Sequence, residues 1–149
     1  MWGRHAVLAA IANPRRKQLR LVVTRNAERE LPEDLKHETA DPAAIDRLLP
    51  PGAVHQGFAL QTEEPVSEPL RSVVDPTHGL VLVLDQVTDP HNAGAILRSA
   101  AAFGVRAVVM QDRKSPPLLG AVAKAAVGAA ETVPVIRVTN IADSVLEMR

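Results

Sequence analysis

The chain has 149 residues, 46% of them apolar and none of them cysteine, which suits one domain or one small domain with part of another and excludes a disulfide framework and a thiolate metal site. No run approaches the roughly 18 apolar residues of a membrane span, so a membrane partner is not expected. Its 17 basic and 17 acidic residues cancel in sum but not along the chain: residues 1–30 carry seven Lys/Arg against two Glu, residues 31–76 three against nine, and residues 77–149 seven against six.

Residues 3–12 read as a short helix, with Val7, Leu8 and Ile11 at helical spacing, stopped by Asn13-Pro14. A basic turn follows, and residues 19–24 read as a buried strand. Arg15, Arg16, Lys17 and Arg20 are the candidate contacts to a polyanion, holding phosphates without reading sequence; a solvated surface is the plainer explanation of the charge alone. Only Trp2, Phe58 and Phe103 are aromatic, so a nucleic acid would be held by backbone and shape rather than by stacked bases. Asn26 is a candidate cap for a helix over 27–31. Asp41-Pro42 opens another, with Ile45, Leu48 and Leu49 on one face and Pro50-Pro51-Gly52 at its end. Residues 57–61 read as a strand. Residues 1–62 thus form a small α/β unit. Residues 63–78, rich in Glu and Pro, read as a linker.

From residue 79 the pattern is β-α-β-α-β-α, with strands over 80–84, 106–110 and 133–138 and helices over 92–103, 117–127 and 141–148. Strands apolar throughout and alternating with helices predict a parallel sheet covered on both faces. Three strands are few for such a sheet, and the expectation is that residues 79–149 are the first part of a larger domain.

The densest chemistry lies in residues 85–104, DQVTDPHNAGAILRSAAAFG. Asn92 is placed to cap the helix. Ala93, Ile96, Leu97, Ala100 and Phe103 form its expected buried face, Arg98 lies off that stripe, and Gly94 and Ala95 allow a backbone or ligand to approach closely. The helix starts at the carboxyl end of a strand, the edge where open parallel sheets bind ligands. From spacing alone, a capped helix with one exposed Arg explains the stretch equally well. Glu131 follows a run of small residues, and spacing alone is met equally by a surface Glu in a loop. His91 has no partner at ligand spacing, so no metal is expected, and no Gly-rich phosphate loop occurs.

DPHNAGAILRSAAAFG resembles the first motif of the SpoU/TrmH-type RNA 2′-O-ribose methyltransferases of the SPOUT class. GRHAVLAAI and VHQGFAL are similar to that family's N-terminal RNA-substrate-binding domain, and AKAAVGAAETVPVIRVTN to a later stretch of its catalytic domain. The arrangement most resembles the subgroup that makes 2′-O-methylguanosine in 23S-type ribosomal RNA; transfer-RNA enzymes share the motifs. The resemblance implies an α/β fold in parts: an RNA-binding domain over 1–62, a linker over 63–78, and the start of a SPOUT methyltransferase domain over 79–149. It implies S-adenosylmethionine as methyl donor, RNA as partner, a homodimer and a cytoplasmic location. In the family the knot and most of the cofactor pocket come from later motifs, so they are expected beyond Arg149 and no cofactor-binding residue is assigned within the chain. Arg98 would sit at the 2′-hydroxyl, as base or as phosphate and alkoxide stabiliser; Asn92 would orient Arg98 or the ribose; Glu131 would line the cleft. Arg113 and Lys114 would add to the RNA contact. The alternative is a truncated, non-catalytic RNA-binding fragment.

Overall fold

The computed structural model describes residues 1–74 and 78–148; Asp75, Pro76 and Thr77 of the expected linker and Arg149 lie outside the described residues. The chain divides into two units, Met1–Pro65 and Val66–Arg149.

In the first unit, α1 (Arg4–Ala12) buries Ala6, Val7 and Ala10. Strands β1 (Gln18–Val23), β2 (Glu38–Thr39) and β3 (Phe58–Thr62) form a sheet in the order β2-β1-β3. β1 runs antiparallel to β3 and parallel to β2. β2 has no expectation behind it, because a two-residue strand carries no periodicity and exists only through its pairing. Helix α2 (Arg25–Glu28) is capped by Thr24, whose hydroxyl accepts from the Ala27 amide at 3.4 Å; this corrects the expected Asn26 cap. Helix α3 (Pro42–Asp46) begins at the expected Asp-Pro step but ends early, leaving Leu48 exposed. Val7, Leu21, Val23, Phe58 and Leu60 pack in one cluster, and Val22, Ile45 and Ala59 in another. The alternation of β1 and β3 side chains between the two clusters is the strand period of two.

The second unit holds α4 (Arg71–Val74), β4 (Val81–Leu84), α5 (Pro90–Ala102), β5 (Ala107–Gln111), α6 (Gly120–Ala126), α7 (Ala129–Thr132), β6 (Val135–Val138) and α8 (Ile141–Glu147). α4 lies in the stretch that composition marks as linker. Its neighbour Leu70 packs against Ala107, Val109 and Ile136, so the described part of that stretch is not featureless. The sheet is parallel, in the order β4-β5-β6. Central β5 divides its side chains: Val108 and Met110 face a core with Leu97, Val122 and Ala126, while Ala107 and Val109 face one with Ile136 and Ile141.

Three expectations are corrected here. β4 is an edge strand, and Leu80 and Val83 beside and within it are exposed rather than buried. Phe103 is 80% exposed, because α5 ends at Ala102 and the chain turns at Gly104 (φ 62), taking the ring off the buried stripe. The helix expected over 117–127 starts at Gly120, and the small-residue run is broken by left-handed Val127 (φ 51) and Gly128 (φ 91) into α6 and α7.

Candidate functional site

The candidate site grows from the turn between β4 and α5. Asp89 is the N-cap of α5: its Oδ1 accepts from the His91 amide at 2.9 Å, and Pro90 follows at the first helical position. The fixed φ of proline suits that position and its missing N–H leaves nothing unsatisfied there. Asn92 is therefore not the cap. Its side chain is exposed and has no hydrogen-bond partner among the described residues. The Asp-Pro signal that locates α3 was equally present here and would have found Asp89.

Gln86, in left-handed conformation (φ 56), and Val87, Thr88 and Asp89 wall an open cleft of about 430 Å³ together with Asn92, Ala95 and Ile96. Asn92 and Ala95 look into it from the first turns of α5. Gly94 does not face a ligand. A methyl group there would stand 2.5 Å from Ala125 Cβ and 2.7 Å from the Val122 carbonyl oxygen, so its absence lets α6 cross α5 closely.

Arg98 is exposed, with no hydrogen bond or ion pair among the described residues, and does not line the cleft. Six residues past Asn92, it lies about 9 Å further along the axis and roughly 120° around it. A ligand meeting both residues must wrap the helix. Glu131 stands on α7, which packs on α5; it is 8% exposed and engaged within the fold. It is neither a surface-loop residue nor a wall of the Asn92 cleft.

A second cleft, of about 350 Å³, opens at the carboxyl ends of β5 and β6, lined by Gln111, Arg113, Lys114 and Thr139. Gln111 Oε1 is buried there without a hydrogen-bond partner among the described residues, as is Ser115 Oγ nearby in sequence. A buried amide oxygen left without a donor is costly and calls for an N–H. No pattern in the sequence marks Gln111, which reads only as the residue after an apolar strand.

The basic residues of the first unit divide in two. Arg16 is 5% exposed and its Nη1 donates to the Glu63 carbonyl at 2.7 Å, so it does not present its charge to a partner. Lys17 is exposed and pairs with Glu63 at 2.6 Å. Arg20 grips Glu38 with both Nε and Nη2, at 2.8 and 2.7 Å, and these hydrogen bonds hold the Glu38 carboxyl below its ordinary value. Arg15 is exposed.

Two family profiles match in tandem. Residues 1–67 match "RNA 2′-O ribose methyltransferase substrate binding" and residues 79–149 match the "SpoU rRNA Methylase family". Among curated proteins, the chain is 35% identical over its whole length to the 23S rRNA (guanosine-2′-O-)-methyltransferase RlmB of Haemophilus ducreyi, covering 65% of that protein. It is 37% identical to the Escherichia coli protein of the same name, over 95% of this chain and 63% of that one. The chain thus spans less than two thirds of these relatives. Among solved structures, the SpoU methyltransferase AviRb of Streptomyces viridochromogenes, in complex with AdoMet, superposes with a TM-score of 0.75 at 18% identity, over 99% of this chain and 57% of that one. A TrmH-family protein of Porphyromonas gingivalis superposes with a TM-score of 0.76 at 24% identity, over 100% and 57%. The fold is that of the SpoU methyltransferases, and residues 79–149 belong to the SpoU rRNA methylase family, preceded over residues 1–67 by an RNA 2′-O ribose methyltransferase substrate-binding domain.

Proposed function

We propose that the protein transfers a methyl group from S-adenosylmethionine to a ribose 2′-hydroxyl of structured RNA, and that the target is a guanosine of 23S-type ribosomal RNA. The observation that carries this reading is the state of α5. It leaves the carboxyl edge of a parallel sheet with Asn92 and Arg98 both exposed and uncommitted, inside the stretch that matches the SpoU profile.

The donor supplies an electrophilic methyl group on a sulfonium and leaves as a neutral thioether. Its amino groups fit Gln111 Oε1, the buried acceptor that lacks a donor, with Thr139 beside it. Arg113 and Lys114, at the mouth of the same cleft, suit RNA phosphates. Arg98 acts as a charged donor. A guanidinium keeps its charge in water and would need desolvation to serve as a base, whereas Arg98 is exposed. It holds the phosphate next to the target and balances the negative charge that develops on the 2′-oxygen, while the hydroxyl proton passes to water. Asn92 orients the ribose from the adjoining cleft. Glu131, buried behind α5, positions that helix rather than touching substrate. Much of the rate comes from holding the 2′-oxygen in line with the departing sulfur.

In this reading residues 1–62 hold the RNA, through Arg15, Lys17 and Arg20, and residues 79–149 carry the chemistry, joined through 63–78. In the same reading the enzyme works as a homodimer in the cytoplasm. The test is methyl transfer from tritiated S-adenosylmethionine to 23S ribosomal RNA, mapped by resistance to alkaline cleavage at one nucleotide. Label on a base, or none, refutes the reading.

A further inference from the structure

The first unit carries an assembly that methyl transfer does not use. Its amino-terminal residues are laid along the free edge of β3. The Leu60 amide donates to the Met1 carbonyl at 2.9 Å, the Gly3 amide donates to the Phe58 carbonyl at 3.2 Å, and Trp2 bridges Ala59. Trp2 is therefore fixed in place. Its indole nonetheless has no hydrogen bond or ring contact among the described residues and is only half-buried. It lines a cleft of about 290 Å³ together with Arg20, Leu49, Pro50, Leu60 and Gln61.

Arg20 and Gln61 are cross-strand partners of β1 and β3. Glu38 holds Nε and Nη2 of Arg20, which orients the guanidinium and leaves the two N–H groups of Nη1 without a partner among the described residues. The Gln61 side-chain amide is exposed and has no partner among the described residues, so its oxygen and its NH2 group are both available there. A flat aromatic face, an amide with an adjacent donor and acceptor, and an oriented cation stand together in one cleft. Stacking suits any base, an amide can bond two atoms of a base edge at once, and a guanidinium suits a phosphate. The volume lies near the lower end of the roughly 300–1,000 Å³ of small-molecule sites, which suits one nucleotide and not a duplex.

We propose that this cleft takes a single unpaired nucleotide of the RNA substrate, its base stacked on Trp2 and read at its edge by Gln61, its phosphate held by Arg20 Nη1. The proposal rests on the RNA-directed function above and names the part of the RNA that this unit selects. The scarcity of aromatic residues argued against stacking along a strand; one base needs only one ring.

Trp2 is the sole tryptophan, so the site reports on itself. The 149-residue chain is titrated with an RNA hairpin bearing an unpaired loop and with a blunt duplex of the same stem, each dye-labelled for anisotropy. The hairpin is expected to quench Trp2 fluorescence and the duplex to leave it unchanged. Trp2→Leu and Gln61→Ala are each expected to weaken hairpin binding, by about 5- to 150-fold for the stacking residue, and to leave duplex binding unaltered. Both substitutions lie outside the buried clusters of this unit, and unchanged circular dichroism checks the fold. Hairpin binding without quenching, or undiminished in both variants, overturns the subsite while leaving the RNA-directed function in place. Failure of the wild-type chain to bind either RNA overturns that function and the subsite with it.

Discussion

Replacing Gly94 with alanine probes the close crossing of α5 and α6 that places Asn92 and Arg98. The added Cβ would stand 2.5 Å from Ala125 Cβ, 2.7 Å from the Val122 carbonyl oxygen and 3.0 Å from the Ala126 nitrogen. Comfortable carbon–carbon contact is about 3.5–4.0 Å, so the helices must separate by about 1 Å. Two of the three obstructing atoms are main chain and cannot rotate away. Overpacking of this kind destabilises by about 1–3 kcal/mol, and the upper end applies here. Alanine's better helix propensity returns about 1 kcal/mol. The net loss is about 2 kcal/mol, or about 8–16 °C in Tm for a unit of this size. Thermal unfolding followed by circular dichroism reads it directly. An unchanged or raised Tm would show that α6 does not cross α5 at Gly94, and the account of this glycine as a packing residue would fall.

Arg98→Ala should lower methyl transfer by about 10²- to 10³-fold, the typical loss of one charge-stabilising donor, with Tm nearly unchanged because the side chain is exposed and unpaired. Transfer at a near-normal rate would remove Arg98 from the chemistry. The basic turn should split under titration of RNA binding with salt. Arg15→Gln and Lys17→Gln should each reduce the salt slope by about one, whereas Arg16→Gln should lower stability by about 1–3 kcal/mol through its lost bond to Glu63. A slope loss at Arg16 equal to that at Arg15 would contradict its burial. His37 sets a pH dependence. Its Nε2 lies 3.0 Å from Glu28 Oε1 and its Nδ1 2.6 Å from the Leu35 carbonyl, and these acceptors, Glu28 foremost, raise its pKa above the ordinary value. A raised folded pKa gives stability that is fully present below the unfolded value, about 6.5, and is lost as pH rises through the folded value. The urea midpoint should therefore fall from about pH 6 to pH 8, and His37→Gln should flatten that slope; an equal slope in both proteins would rule out His37 as its source.

Much of the second unit was legible in the chain itself. Continuous apolar runs alternating with helical spacing determined a parallel sheet, because burial on both faces leaves no room for polar alternation. The order of polar groups from Asp89 to Arg98 determined where the candidate chemistry lies. Asp41-Pro42 marked the start of α3 through geometry that proline carries within itself. These are local signals, set by backbone sterics and the period of each element.

What the tertiary structure decided depends on partners distant in sequence. Asn92 was free to be a cap until Asp89 took that role. Gly94 was open to a ligand until α6 was seen to occupy the space. Arg16 counted as a surface charge until Glu63, 47 residues later, drew it inward. Phe103 continued a buried stripe that the turn at Gly104 ended one residue sooner. The cleft that joins Trp2 to Gln61 exists only because the chain's first residues pair with β3. Spacing along a chain determines which face a residue shares, while only packing decides what stands opposite that face.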